Sequence, residues 1–344
     1  MISFKNDYSE GALPVILEAL VKTNMEQTVG YGEDEYTQQA IEIIKDAIKC
    51  NDCYIRFLMG GTQTNLLAIS HMLRPYQAVI AADTGHISQH EAGAIEATGH
   101  KVIEIPTDGS GKLDVPTIAK AYEVHKSDLH MAQPKMVYIS NPTEFGTLYS
   151  KAELKAIHDY CKKTDMYLYI DGARLASALA AEKNDIALSD YPEYCDIFYI
   201  GGTKCGLLFG EALIIINPEL KEGIFCSTKQ RGATLAKGRL LGIQFAELFK
   251  DNRYYKVGKH SNDMAMLIKE GVQKAGFKLY IDSYTNQQFF IFPNELLKKL
   301  DKNVRYEFWS KLDDNNSVIR FATSWATDKK DVEKLISFLE NIKE

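Results

Sequence analysis

The sequence predicts an α/β fold, with a large domain built on a mostly parallel sheet and a smaller α+β domain behind it. Three observations predict it. Short apolar runs alternate with helical patterns through the first two-thirds of the chain. The alternation stops near Leu248. The chain has 344 residues, 45% of them hydrophobic, which is enough to fill one large and one small core.

Residues 1–24 read as an arm and a helix laid against the rest, and 25–248 as the large domain. Within it, 38–49 carries Ile41, Ile44 and Ile48 on one helical face. Strands are expected at 54–59, 78–82, 102–105, 136–140, 166–170, 196–200 and 213–216. Helices are expected at 62–73, near Glu91, at 116–125 and at 151–163. The small domain, 249–344, opens with a long helix through Met264, Leu267 and Ile268. Strands come next at 277–281, 288–292, 304–308 and 318–322, and a helix at 329–342 closes it. A cleft between two such domains is a natural ligand site.

Composition removes several classes of function. A formal charge of −6 offers no basic footprint for nucleic acid. The longest apolar runs, such as 212–216, are far too short to span a bilayer, so no membrane contact is expected. The first seven residues carry no apolar stretch of the secretory type, and a cytoplasmic protein is expected. Six cysteines in a chain this long do not make a disulfide scaffold. Cys50 and Cys53 have CxxC spacing without a second pair, so no metal site is expected.

In an open α/β sheet, ligands bind at the carboxyl ends of the strands. The residues just past each strand are therefore informative. After 54–59 come Gly60, Gly61 and Thr62 and a helix start, which suit a phosphate; by themselves they are equally a capped turn. After 166–170 comes Asp171, a carboxylate suited to a protonated pyridine nitrogen, or else a helix cap. After 196–200 come Gly201, Gly202, Thr203 and Lys204. A lysine among glycines beyond a buried strand is suited to nucleophilic amine chemistry, although an exposed turn lysine is the plainer reading. Together the three are far more specific, because one ligand needs a phosphate site, a pyridinium partner and an amine for its aldehyde. That ligand is pyridoxal 5'-phosphate, held on Lys204 as a Schiff base.

Over nearly its whole length the chain resembles the L-threonine aldolase family, within the aspartate-aminotransferase-type fold. The resemblance rests on Tyr31-Gly32-Glu33-Asp34, Gly61-Thr62, Ile170-Asp171-Gly172-Ala173-Arg174 and Gly201-Gly202-Thr203-Lys204. It implies that His86 stacks on the cofactor ring and that His130 reaches the substrate hydroxyl. It implies that Arg174 and Arg320 receive the substrate carboxylate. It implies that Lys229 lies near the cofactor phosphate, often from a neighbouring subunit, and that His130 and Lys229 are candidates for loops shared between subunits of a homo-oligomer, a dimer at least and by expectation a tetramer. Where the family often has Ser-Asp-Thr, this chain has Asn6-Asp7-Tyr8, and Asn6 is expected at the substrate carboxylate. The family's glycine-rich run is here 231–237, without an arginine at its usual place.

The implied reaction is retro-aldol cleavage of a 3-hydroxy amino acid, threonine or allo-threonine, to glycine and an aldehyde. The base for the hydroxyl proton is expected to be His86, His130 or a water between them. Two alternatives accompany this reading: a β-eliminating lyase or racemase on the same scaffold, and a binding module for the cofactor or an amino acid without turnover.

Overall fold

The computed structural model describes residues 1–342. In chain order the strands are β1 (Ile2–Ser3), β2 (Tyr54–Leu58), β3 (Gln77–Ala82), β4 (Lys101–Ile105), β5 (Gln133–Ser140), β6 (Tyr167–Asp171), β7 (Ile197–Gly201) and β8 (Glu211–Ile215). They continue as β9 (Lys278–Ile281), β10 (Gln287–Pro293), β11 (Val304–Arg305), β12 (Glu307–Lys311) and β13 (Asn316–Ala322).

The large sheet has the order β2-β8-β7-β6-β5-β3-β4. The strands from β7 to β4 pair in parallel, whereas β8 is antiparallel to both of its neighbours. The carboxyl ends of β2, β3, β5, β6 and β7 therefore lie along one edge, together with the first residue of β8. Helices cover both faces, so the central strands are buried on both sides and read as continuous apolar runs. Strands β7 and β8 have no exposed residue at all.

Local sequence sets the helix boundaries. Asp34 accepts from the Thr37 N–H at 2.9 Å and starts the helix Glu35–Ile48. Ser150 and Glu153 form a reciprocal capping box ahead of Lys151–Lys163. The helix expected near Glu91 lies earlier and is short, His86–Gln89, and Glu91 falls in the turn after it. The helix Arg239–Phe249 is not among the expected elements, and it is buried over most of its surface. It packs Phe245 against Phe57 of β2, ring centroids 4.6 Å apart.

The small domain carries an antiparallel sheet of order β12-β13-β10-β9. The single strand expected at 304–308 is two strands. Val304–Arg305 pairs instead with Ile2–Ser3, so the chain changes sheets before β12 begins. The first residues thus bind the small domain, while the helix Pro14–Lys22 packs on Arg239–Phe249. The long helix Arg253–Lys274 contacts both Leu175–Leu179 and the closing helix Lys329–Asn341.

Candidate active site

Two adjoining cavities open at the carboxyl edge of the large sheet. The inner one, of about 310 Å³, is lined by Gly61, Thr62, His86, Asp171, Thr203 and Lys204, among others. The outer one, of about 270 Å³, reaches the small sheet at Gln287, Glu307, Trp309 and Arg320. Tyr8, His86, Glu144, Arg174 and Lys204 line both.

Glycines set the spacing of the inner cavity. A Cβ on Gly172 would lie 2.0 Å from the Tyr199 carbonyl oxygen, and one on Gly201 would lie 2.3 Å from that of Ala173. The turns after β6 and β7 therefore touch backbone to backbone. This fixes Asp171 relative to Lys204.

Asp171 is buried in a tyrosine cage. Tyr138 donates to its Oδ2 at 2.5 Å and Tyr199 to its Oδ1 at 2.6 Å. The Ala173 N–H donates to Oδ1 at 2.9 Å and Asn65 to Oδ2 at 3.3 Å. Burial and the Asp171 charge push both tyrosine hydroxyls far above the usual phenol range, so they act only as neutral donors. Lys204 is held below the usual lysine range, first by burial and next by the Arg174 charge. That favours the neutral amine, which is the nucleophilic form. Glu211, at the start of β8, lines the same cavity. Burial raises its carboxyl to about 7, against the pull of bonds from Thr203 and the Gly202 N–H.

His86 Nδ1 lies 2.8 Å from Glu91 Oε1, which also accepts from Asn65 at 2.7 Å. The carboxylate can only accept, so the proton sits on Nδ1. Arg174 spends the edge bearing Nε and Nη2 on Asp7, at 2.7 and 3.0 Å. Arg320 donates to Gln287 Oε1 at 2.8 Å and to the Lys5 carbonyl at 3.2 Å, and lies over Trp309. Its Nε is buried, with no hydrogen-bond partner among the described residues.

The structure does not bring every expected residue here. Asn6 uses its Oδ1 on the Tyr8 N–H and the Ser9 hydroxyl, and its neighbours Asp7 and Tyr8 are the ones that enter the site. His130 is exposed in the turn before β5, at the amino end of a strand whose carboxyl end meets the cavities. Lys229 stands over the Tyr31 ring, 4.3 Å from its centroid, outside both cavities. Conversely, sequence reading misses Tyr8, Glu91, Glu144 and Glu211. Glu144 comes soon after the end of β5, so the carboxyl-edge rule applied to that strand would have found it.

The residues present fit the expected cofactor. A Cβ on Gly61 would come within 3.2 Å of the Tyr199 hydroxyl, so this glycine keeps open a cradle at the start of the 12-residue helix Gly61–Met72. Free N–H groups and the positive dipole end at that start suit a phosphate. A caged anion and a buried amine line the same space. Arg320 lines the outer cavity, and its guanidinium suits a carboxylate there.

An open sheet of this order, with a phosphate cradle, an anion and an amine at one edge, defines a lyase or transferase that works on amino acids. Residues 7–294 match the family model described as beta-eliminating lyase, and the chain belongs to that family. It is 30% identical to the low specificity L-threonine aldolase of Pseudomonas sp., over 96% of this chain and 95% of that protein. It superimposes on a solved structure of the Leishmania major threonine aldolase with a TM-score of 0.98 and 46% identity, over the whole of both chains. A histidinol-phosphate aminotransferase of Clostridium acetobutylicum shares the fold, at a TM-score of 0.77 over 100% of this chain and 99% of that one. Its 14% identity carries no more than that.

Proposed function

We infer that this protein is a carbon–carbon lyase that uses pyridoxal 5'-phosphate to cleave L-threonine and L-allo-threonine to glycine and acetaldehyde. The observation that carries the reading is the meeting of Asp171, Lys204 and the Gly61–Thr62 helix start in one cavity, with Arg320 in the next. Bound in the inner cavity, the cofactor supplies an electron sink for the pair left on Cα when the Cα–Cβ bond breaks.

The chain's own residues do the rest. Lys204 anchors the aldehyde carbon, and Asp171 holds a proton on the ring nitrogen. Gly61, Thr62 and Thr203 receive the phosphate end. His86, locked through Nδ1 by Glu91, would stack against the cofactor ring. Arg320 would take the substrate carboxylate and so orient the Cα–Cβ bond for cleavage. Such orientation supplies a large share of the rate. Arg174 Nη1, which makes no hydrogen bond among the described residues, adds charge on the same side.

A homo-oligomer, a dimer at least and by expectation a tetramer, completes this reading. Val21, Met25 and Val29 are exposed. Nearby, Arg56 links the patch of Tyr31, Phe225 and Lys229 by donating to the Tyr31 carbonyl and stacking over Phe225. Such a surface suits burial against a second copy, which would bring Lys229 to the partner's phosphate site. Sedimentation at assay concentration tests this, and an active monomer would refute it. The reading also keeps 25–248 as the cofactor domain, 249–344 as the small domain and a cytoplasmic setting.

Product analysis tests the reaction. Incubation with L-threonine and with L-allo-threonine is expected to yield glycine and acetaldehyde in equal amounts. Ammonia with a 2-oxo acid would mean β-elimination instead, and an epimerised substrate would mean racemisation. Binding without product would leave only a binding module.

A further inference from the structure

We propose that Glu144 is the base that takes the substrate's β-hydroxyl proton, at the junction of the two cavities and one glutamine away from Arg320. This rests on the retro-aldol reading and names a residue that it leaves open.

Cleavage of a 3-hydroxy amino acid needs a proton acceptor within reach of the Cβ hydroxyl, while the carboxylate on Cα is held by a cation. Five residues line both cavities, and Glu144 is the one carboxylate among them. Arg174 is a permanent cation, and Lys204 is the anchor. His86 has committed Nδ1 to Glu91, which leaves Nε2 as the competing acceptor that the Glu144 variants test. Glu144 has one oxygen fixed and one available. Its Oε1 accepts from the His86 backbone N–H at 3.0 Å and from the Ser140 hydroxyl at 2.8 Å. No other described residue bonds its Oε2.

The loop that carries Glu144 is pinned to the small domain. Its backbone carbonyl accepts from Gln287 Nε2 at 3.3 Å, and the Oε1 of the same glutamine accepts from Arg320 at 2.8 Å. The Gly146 carbonyl accepts from Ser283 at 3.2 Å and from Thr285 at 3.3 Å. The base and the carboxylate receptor are thus held in a fixed relation through one side chain, as a substrate with vicinal carboxylate and hydroxyl-bearing carbons requires. Burial raises the Glu144 carboxyl above its ordinary range, in the direction that strengthens a carboxylate as a base.

The step balances. The hydroxyl proton passes to Glu144 Oε2, and the O–H pair becomes the second bond of the aldehyde carbonyl. The Cα–Cβ bond breaks and its pair stays with Cα, stabilised by the cofactor. A proton drawn from water joins Cα to give glycine, and Glu144 returns its own proton to water, so no net proton is gained or lost.

Glycine separates this role from a structural one. Exchange of its α-proton with solvent uses the cofactor, Lys204 and Asp171, but it has no hydroxyl to deprotonate. Glu144→Gln, close to isosteric, is expected to lower kcat/KM for L-threonine at least ~100-fold, the range for loss of a general base. Glycine exchange and visible cofactor absorbance should stay within about threefold of wild type, by the same reasoning. Glu144→Asp, which keeps the acid but shortens it, should fall between in cleavage and match wild type in exchange. Near-normal cleavage by Glu144→Gln would overturn the proposal. So would a parallel loss of cleavage and exchange in both variants, which would make Glu144 a residue that holds the site together. Wild-type protein that exchanges glycine but does not cleave L-threonine would instead overturn the functional reading, and this proposal with it.

Discussion

Arg174 and Asp7 form a two-point ion pair, with Nε 2.7 Å from Oδ2 and Nη2 3.0 Å from Oδ1. They lie 167 positions apart in the chain. Asn286 adds a third bond to the same carboxylate, at 2.8 Å. The N-terminal arm, the end of β6 and the loop before β10 are thus joined at one buried anion. Burial alone would raise the Asp7 carboxyl. The charges of Arg174 and Lys204, with the hydrogen bonds, reverse that and hold it well below the usual carboxylate range.

The pair predicts a pH-dependent stability. A carboxyl whose folded pKa is depressed stabilises the fold above its unfolded value, roughly 3.9, and loses that contribution as pH falls toward the folded value. Asp7→Asn keeps the shape and removes the charge, leaving Arg174 buried without its counterion. A loss of roughly 3 kcal/mol is expected near neutrality, the lower end for breaking a buried pair. The gap in melting temperature between wild type and Asp7→Asn should close as pH drops below about 4. A gap that stays constant from about pH 7 to about pH 3 would mean that Asp7 acts by packing alone.

Lys204 should be the residue that holds the cofactor. Purified protein is expected to absorb visible light, and borohydride should fix the cofactor to Lys204. Peptide mapping of the reduced protein locates the adduct. Lys204→Ala should carry none, and an adduct on another lysine would refute the assignment.

The scaffold of this site is more legible in the sequence than its contents. Gly61, Asp171 and Lys204 each come just after an apolar strand, so their position at one edge can be read from strand order. Glu35–Ile48 is legible from a hydrophobic period of 3.6, although Ala40 rather than Ile41 is fully buried with Ile44 and Ile48. Glu91 is not legible, because it acts from a turn where no period marks which side chain faces inward, whereas Glu144 could be reached only by applying the strand-end rule to β5 as well. Asn6 stands out in the sequence over Asp7 and Tyr8 only because a pattern of adjacent residues does not tell which one turns to its own backbone. His130 precedes a strand whose far end meets the site, so one protomer alone does not bring it to the cavities. The split of 304–308 comes from pairing with β1 at the opposite end of the chain, a contact that no local pattern can show.

Asp171 should control turnover rather than assembly. Asp171→Asn keeps the volume, and its carbonyl oxygen can still accept from the Tyr199 hydroxyl and the Ala173 N–H. The negative charge that keeps a pyridine nitrogen protonated is lost. Cofactor content is therefore expected to fall modestly, while turnover of L-threonine falls by orders of magnitude. Near-normal turnover would reduce Asp171 to the cap that its bond to the Ala173 N–H resembles.

Arg320 is the most direct test of how substrate is held. Its guanidinium is oriented before any ligand arrives, by Gln287 on one side, the Lys5 carbonyl on the other and the Trp309 ring beneath. Arg320 lines the outer cavity, so its charge faces the space that a substrate would enter. A substrate carboxylate is the group that fits a planar fork of donors. Truncating one side of such a shielded pair costs ~2–5 kcal/mol. Arg320→Leu is therefore expected to lower kcat/KM for L-threonine at least ~30-fold, since ~1.4 kcal/mol is tenfold. Cofactor content should stay near wild type, because Arg320 lines the outer cavity and not the inner one. Arg320→Lys restores charge but neither the fork nor its stacking on Trp309, so it should recover only part of the loss. Steady-state kinetics of both variants, with cofactor occupancy measured alongside, decides the matter. Unchanged kcat/KM in Arg320→Leu would remove the residue from the substrate site, and loss of cofactor would make it part of the scaffold that joins the two domains.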